Sequence, residues 1–349
     1  MAVGRIGLRY LRDPWLDNAR WLAGSLIVTV HIAAYWEFAE LLEVQLLHSG
    51  TWILRVPLFA LLLGFFSTGR YSVKLADNLA RQLILPLAFF TAIHLGLVAI
   101  FEQELSFDPA NPEFTLWFLY SAVLWRALLP IWLRLPWNGA LAVAASVLSG
   151  FIPQDLGAWS LDRSITFFPY FVIGYWLANR GRGMLDRSPL KTLVAAFTLV
   201  SFCLTAVYLT VYTETMTRPE FRLNSVYTGD LVEQLSLAGN RLFLVGFGLM
   251  AVVSALYLVP RRRIPLISYL GSGGLYIYLL HAPIAYVLQQ TRVLPAILDS
   301  VGFGGLVLFS MALAAVLASK PVRFMARPLV QPRLAWLRRR PKNSAPQEP

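Results

Sequence analysis

The sequence predicts an all-α fold: a polytopic transmembrane bundle of about ten spans with both termini in the cytoplasm. Three observations predict it. The chain of 349 residues is 57% hydrophobic and only 14% charged, with a mean hydropathy of +0.59. That composition excludes a soluble globule and a disordered chain. Apolar runs of helix length recur along the chain, and the loops between them alternate in charge. The formal charge of +11 would suggest nucleic acid in a soluble protein. Here it is carried by the loops of one side, so the expected partner is the lipid bilayer, with no nucleic acid.

Residues 1–18 hold Arg5, Arg9 and Arg12 and are expected in the cytoplasm. A basic segment before an apolar run resembles a signal peptide, but this run continues to Trp36, too long for one, and reads as a retained first span. The ten runs lie at 19–36, 51–68, 83–101, 115–133, 138–152, 164–179, 191–212, 240–259, 265–289 and 301–319. The fifth is short enough to be tilted or re-entrant. Pro57, Gly64, Pro86, Pro130, Gly174 and Pro283 fall inside runs, where neighbouring helices can satisfy the backbone groups they free.

The expected inner loops carry Arg70, Lys74 and Arg81, then Arg134, then Arg180, Arg182, Arg187 and Lys191, then Arg261, Arg262 and Arg263. The expected outer loops carry Glu37, Glu40 and Glu43, then Glu102, Glu104, Asp108 and Glu113, then Asp155 and Asp162. The longest adds Glu214, Glu220, Asp230 and Glu233 against Arg218 and Arg222, and the last holds Asp299 and Arg292. Basic and acidic loops alternate at each crossing, as the positive-inside rule requires. Residues 19–319 form one membrane domain, and the basic, proline-rich residues 320–349 are expected to be a solvated, disordered cytoplasmic tail attracted to anionic lipid. Trp15, Trp21, Trp36, Trp52 and Trp117 fall near the expected interfaces, where tryptophans form a belt. Arg55 and Arg241 lie near outer ends, where snorkelling is expected. Cys203, the single cysteine, can form no internal disulfide.

Candidate chemistry begins at Asp17–His31. Arg20 and His31 are eleven residues apart, which returns a helix to nearly the same face after a rise of roughly 16 Å. His31 therefore sits inside the first span while Arg20 stays near the cytoplasmic surface. An ionisable group at that depth is a functional candidate, although a histidine hydrogen-bonded between packed helices is an equally open reading. His94 and His281 are also intramembrane, and all three could meet around one polar cavity, with His48 left on the outer surface. No two histidines are spaced for a metal on one helix face, so no metal is expected. Arg126 lies mid-span and needs a partner or a polar cavity. The segment from Ser67 to Arg81 offers Ser67, Gly69, Arg70, Lys74 and Arg81 as an anion site; a simple positive-inside loop accounts for the same charges.

Four segments then resemble one family. Arg20 and His31, preceded by Leu16-Asp17, fit an Arg-x10-His pattern. Trp117-Phe118-Leu119 is similar to an aromatic motif at the start of a span. Phe168-Pro169-Tyr170-Phe171-Val172-Ile173-Gly174-Tyr175 resembles a Pro-x-Phe-x-x-Gly-Tyr segment. Leu270-Gly271 with Ile277-Tyr278-Leu279-Leu280-His281 resembles a motif of the penultimate span. In this order the chain resembles the acyltransferase-3 family of integral membrane O-acyltransferases, over roughly residues 10–325. It departs from the family at Gln82, beside Arg81, where a second arginine is frequent, and at Gly274, where a serine is frequent and Ser272 is close.

The resemblance implies transfer of an acyl group, usually acetyl, from cytoplasmic acyl-CoA to a hydroxyl of an extracytoplasmic glycan or glycolipid, in the plasma membrane. It implies His31 as general base or transient acyl carrier, with acyl-CoA (acetyl-CoA) as donor substrate and no metal. Arg20 and Asp17 would pair at the cytoplasmic entrance. Ser67, Gly69, Arg70, Lys74 and Arg81 would hold the donor phosphates, and His281, Arg126 and Trp117 would support the site. The alternative is a proton-coupled secondary transporter using its intramembrane histidines as a relay.

Overall fold

The protein is described by a computed structural model, which covers residues 13–102, 115–152, 160–214, 216, 221, 223 and 225–332. The charges at Arg5, Arg9, Arg12, Glu104, Asp108, Glu113, Asp155, Arg218, Glu220 and Arg222, the Trp36 side chain, and the tail beyond Pro332 lie outside the described residues. Among the described residues all regular structure is helical.

Helix α1 (Pro14–Ala33) starts five residues before the expected apolar run, because Asp13 caps it and Pro14 occupies its first turn. Asp13 accepts from the Trp15 amide at 3.0 Å. The expected run at 51–68 holds a short turn at Trp52–Leu54 and the helix α3 (Val56–Phe65), and a further helix, α2 (Leu42–Gly50), precedes it within the expected outer loop; the two are bent by 52°. Pro57 removes the amide that would continue the helix ladder. The carbonyls at the end of α2 are taken up instead by side chains, Thr51 Oγ1 donating to Leu47 at 2.6 Å and Arg55 Nη2 to His48 at 2.5 Å. Arg55 is thus buried as a C-terminal cation, where the helix dipole favours it, and does not snorkel.

Helix α4 (Val73–Phe101) contains a π-helical turn at Ala80–Ile84, just before Pro86. Helices α5 (Trp117–Trp132), α6 (Asn138–Leu148), α7 (Leu161–Asn179) and α8 (Pro189–Val211) follow. Helix α9 (Leu231–Leu258) opens on an Asp230–Glu233 capping box and carries a second π turn at Phe243–Phe247. Then come α10 (Pro265–Gly271), α11 (Gly274–Gln290), α12 (Val293–Leu317) and α13 (Lys320–Val330).

Four helices, α4, α8, α9 and α12, are long and apolar enough to cross a membrane, and the bent α2–α3 pair makes up to five. They are long enough because each exceeds the roughly 20 residues a bilayer demands. Helix α8 leaves Leu190, Leu193, Val194, Phe197, Val200 and Leu204 exposed along one stripe, a surface suited to lipid and unsuited to water. Helices α1 and α7, more polar, bury most of their residues. The molecule is a multi-pass membrane protein in which lipid-suited helices surround an apolar, aromatic-rich core with a few buried polar groups.

Backbone contact fixes that interior. At the α3–α7 crossing a Cβ on Gly64 would meet the Phe171 carbonyl oxygen at 1.9 Å, and one on Gly174 would meet the Leu61 oxygen at 1.9 Å. Small residues let helices approach this closely in lipid, so the Pro-x-Phe-x-x-Gly-Tyr segment is a packing device. Its Tyr170 hydroxyl donates to the Leu244 carbonyl at 2.6 Å inside the second π turn. Helix α1 packs on α3, α10, α11 and α12. Asn18 stitches it to the α9–α10 connection, donating to the Pro260 carbonyl at 2.8 Å and accepting from Ser268 Oγ at 2.7 Å.

Three further expectations are corrected. Trp15 and Trp52 are buried, not belt residues; their indole N–H groups donate to the Leu256 and Phe221 carbonyls at 2.9 and 2.8 Å. Arg241 is buried rather than snorkelled, donating to Ser225 O and to Ser149 Oγ. Residues 320–330, expected to be disordered, form the amphipathic helix α13, whose Arg323 donates to Ser272 Oγ at 2.8 Å and lies over the Tyr269 ring.

Candidate functional site

His31 lies in the last turn of α1, and its side chain meets His281 of α11. The distance from His281 Nε2 to His31 Nδ1 is 3.2 Å, with ring centroids 5.0 Å apart. His281 Nδ1 faces the carbonyls of Tyr278 at 2.6 Å and Ile277 at 3.1 Å. A carbonyl oxygen only accepts, so Nδ1 of His281 carries the proton and its Nε2 carries a lone pair. A His31 proton on Nδ1 satisfies that lone pair and leaves the basic lone pair of His31 on Nε2; the His31 ring also hydrogen-bonds the Ile27 carbonyl. Two turns along α11, Gln289 donates to the His31 backbone carbonyl at 3.0 Å. One helix therefore fixes both the ring and the backbone of His31.

Beside this pair is a cavity of about 50 Å³ lined by His31, Val56, Phe59, Thr115, Trp117, Phe118 and Tyr278 among others. On that measure a water molecule needs roughly 10–15 Å³, so the space suits a small polar group. The Tyr278 hydroxyl donates to the Thr115 carbonyl and pins the start of α5 to α11. Trp117 packs on Phe167 and Phe118, and the Arg163 guanidinium lies over its indole at 5.2 Å. Thr115 was missed by the sequence reading. Its signal is a single polar residue two positions before the Trp117 motif, too slight to find without the cavity.

Arg20 stands one turn from Asp17 and pairs with it at 2.6 Å, as their spacing predicts. Its guanidinium lies 4.4 Å from the centroid of the Phe66 ring. Gly271 allows α10 to touch α1 here, since a Cβ would meet the Asp17 carbonyl oxygen at 1.8 Å. At Gly274 a Cβ would come within 3.3 Å of Arg20 Cβ, so the larger residue frequent in the family would press on Arg20. Arg20 and His31 do not touch through their pairs: one faces Asp17 and Phe66, the other His281.

The expected anion residues divide. Arg70 and Lys74 are exposed. Arg81, in the π turn, pairs with Asp77 at 2.6 Å, yet its Nε is buried without a hydrogen-bond partner. Ser67 donates to the Leu63 carbonyl at 2.7 Å. At Gly69 a Cβ would meet the Tyr175 hydroxyl at 2.4 Å, so this glycine makes room for the end of that side chain. Arg126, on α5, also has a buried Nε without a partner. The two arginines lie on elements in contact: α5 packs on the π turn, and Tyr71 donates to the Ala127 carbonyl at 3.0 Å.

His94 is drawn elsewhere. Its ring is edge-on to Tyr286 at 4.9 Å, whose hydroxyl donates to Glu102 at 2.6 Å. Tyr286 is five residues past His281, roughly 140° around α11, so His94 serves another side of that helix. His48 is half-buried, its ring against Phe221 at 5.6 Å. Among the described residues no three His, Cys, Asp or Glu side chains gather as a metal site.

A family model described as an acyltransferase domain matches residues 13–319. The chain belongs to the acyltransferase-3 family. Comparison with individual curated proteins and with solved structures gave no match. In acyltransferase terms, the cavity is where three of the four resembling segments converge: His31 from the first, Trp117 and Phe118 from the second, Tyr278 from the last. The remaining segment, around Tyr170 and Gly174, builds the α3–α7 wall behind it.

Proposed function

We propose that this acyltransferase moves a short acyl group, acetyl in the simplest case, from cytoplasmic acyl-CoA to a hydroxyl of an extracytoplasmic glycan or glycolipid, with His31 as general base. The protein spans the plasma membrane ten times with both ends in the cytoplasm; the charge alternation of its loops supports that topology. One observation carries the reading: His31, held by His281, lines a cavity assembled from three separate motif segments.

The chemistry follows from the tautomer. His31 Nε2 takes the proton of the acceptor hydroxyl as its oxygen adds to the thioester carbonyl carbon. The carbon–sulfur bond then breaks, and the departing CoA thiolate takes that proton from Nε2, leaving His31 neutral and releasing a thiol. While the proton is held, the imidazolium Nδ1–H continues to donate to His281 Nε2, so the charge forms without rearrangement of the pair. The cavity's small volume favours acetyl over long chains.

On the cytoplasmic side, the buried guanidinium N–H groups of Arg81 and Arg126 suit the phosphates of the donor. Exposed Arg70 and Lys74 serve its approach by charge, and Arg20, tied to Asp17, stands at the entrance. The test is His31→Ala in purified, membrane-inserted protein, with acetyl-CoA and a glycolipid acceptor and the product followed by mass spectrometry. The expected result is a loss of roughly 10²–10⁴-fold in transfer with the fold retained. Transfer at the wild-type rate would overturn the assignment of His31.

A further inference from the structure

Thr115 is buried, with 4% of its surface exposed, just before the first turn of α5. Its backbone is fixed, because its carbonyl accepts from the Tyr278 hydroxyl. Its side-chain Oγ1 nevertheless has no hydrogen-bond partner, and it is the only hydroxyl among the described residues in that condition. Other buried hydroxyls in the bundle are satisfied. Thr29 returns its hydroxyl to the Ser25 carbonyl at 2.9 Å, Ser146 donates to Thr166 at 2.9 Å, Ser310 to Leu306 at 2.7 Å, and Ser121 and Ser164 bond one another at 2.7 Å. Buried polar groups left unpaired are rare in folded proteins and are destabilising unless something else engages them. The residue that carries this one, Thr115, is among those lining the cavity that His31 also lines.

A hydroxyl can donate one hydrogen bond and accept others. Across the cavity stands a base that removes a proton from the attacking alcohol, and the bond change that accompanies removal places negative charge on one atom, the former thioester carbonyl oxygen. A preformed donor in a small apolar space is most effective at such a point, because the surrounding Val56, Phe59 and Phe118 side chains offer no competing hydrogen-bond partner.

We propose that Thr115 is the oxyanion donor of the transfer step, its Oγ1–H held for the carbonyl oxygen of the acyl group. The assignment rests on the acyl-transfer reading given above. As the acceptor oxygen bonds to the carbonyl carbon, the carbonyl π pair moves onto oxygen and is stabilised by the Thr115 hydroxyl. When the carbonyl re-forms, the carbon–sulfur bond breaks, the thiolate leaves with the proton held by His31, and Thr115 keeps its own proton throughout.

The experiment compares Thr115→Val and Thr115→Ser with wild type, and runs His31→Ala beside them. Valine preserves the shape and removes the hydroxyl; serine keeps the hydroxyl. Thr115→Val is expected to lower kcat by roughly 10²–10³-fold with KM for acetyl-CoA little changed, while Thr115→Ser recovers most of the rate. Its thermal midpoint in detergent should equal or exceed that of wild type, because an unsatisfied polar group has been removed. A Thr115→Val enzyme with kcat within about twofold of wild type overturns the proposal. So does one whose midpoint falls and whose lost rate serine does not restore, since the residue would then be structural. If His31→Ala is inactive and Thr115→Val active, only the oxyanion assignment fails; if His31→Ala is active, the reading of His31 fails instead.

Discussion

Replacing His281 tests the His31–His281 pair directly. His281 is fully buried, and phenylalanine fills nearly the same space without a nitrogen. The substitution removes the acceptor 3.2 Å from His31 Nδ1. The Ile27 carbonyl remains as a partner of the His31 ring, so what is lost is one of its hydrogen bonds, about 0.5–1.5 kcal/mol, and with it part of the preference for a proton on Nδ1. The share of His31 with its basic lone pair on Nδ1, the wrong edge of the ring, would rise. Where a catalytic histidine loses the partner that fixes its tautomer, kcat falls by up to about 10⁴-fold, and His281→Phe is expected to lose at least 10²-fold on that basis. His281→Gln is the control, because its carbonyl oxygen can accept from His31 and its amide can donate to the Tyr278 carbonyl; its loss should be nearer tenfold. The assays are kcat and KM for acyl transfer, together with ¹⁵N chemical shifts of histidine-labelled protein. The chain has four histidines, and His31→Gln identifies the signal of interest. Wild type should show His31 protonated at Nδ1. If His281→Phe keeps both that signal and a kcat within about threefold, the tautomer argument is refuted.

Two other outcomes follow from the packing. Gly64→Ala and Gly174→Ala each force a methyl into a backbone carbonyl across the α3–α7 crossing. Each should lower stability by about 1–3 kcal/mol or more, read as a drop in thermal midpoint in detergent; unchanged midpoints would mean that the two helices are not in contact as described. Arg126→Met removes a guanidinium whose Nε is buried without a partner. Stability should hold while KM for acetyl-CoA rises about tenfold, the effect of roughly 1.4 kcal/mol lost from one phosphate contact, and an unchanged KM would remove Arg126 from the donor site.

Local relationships were legible in the sequence, and through-space ones only in outline: similar depth suggested that the intramembrane histidines could share a cavity, not which of them would touch. The Asp17–Arg20 pair follows from a three-residue spacing on a helix, and helices stand at the apolar runs because periodicity and hydropathy are properties of short windows. The contact between His31 and His281 joins residues 250 apart, and no window contains both. Likewise Arg55, Arg241, Trp15 and Trp52 were assigned to membrane interfaces by their distance along a run. What decides their positions is which carbonyls fell vacant nearby: those at the end of α2 for Arg55, Leu256 for Trp15, Phe221 for Trp52. Helix α2 lies before the expected run at 51–68, in a stretch where Glu43, Gln45 and His48 interrupt the apolar pattern, so hydropathy did not mark it. Thr115 carried no signal beyond being a polar residue beside a motif. Its importance arises only from what it lacks, and a missing hydrogen bond has no sequence pattern.

Helix α13 begins where the family match ends, at residue 319. Yet its Arg323 is bonded to Ser272, in the connection between α10 and α11, and its first amide accepts no role in the ladder but donates to the Tyr269 hydroxyl at 2.7 Å. Its far end, Gln331, is bonded to Tyr276 at 3.3 Å. The same connection sets the Gly271 and Gly274 contacts against Asp17 and Arg20. The segment past the matched domain thus acts as a clasp on the joint that packs against Asp17 and Arg20. A chain cut at residue 319 would keep every motif residue and still release that joint.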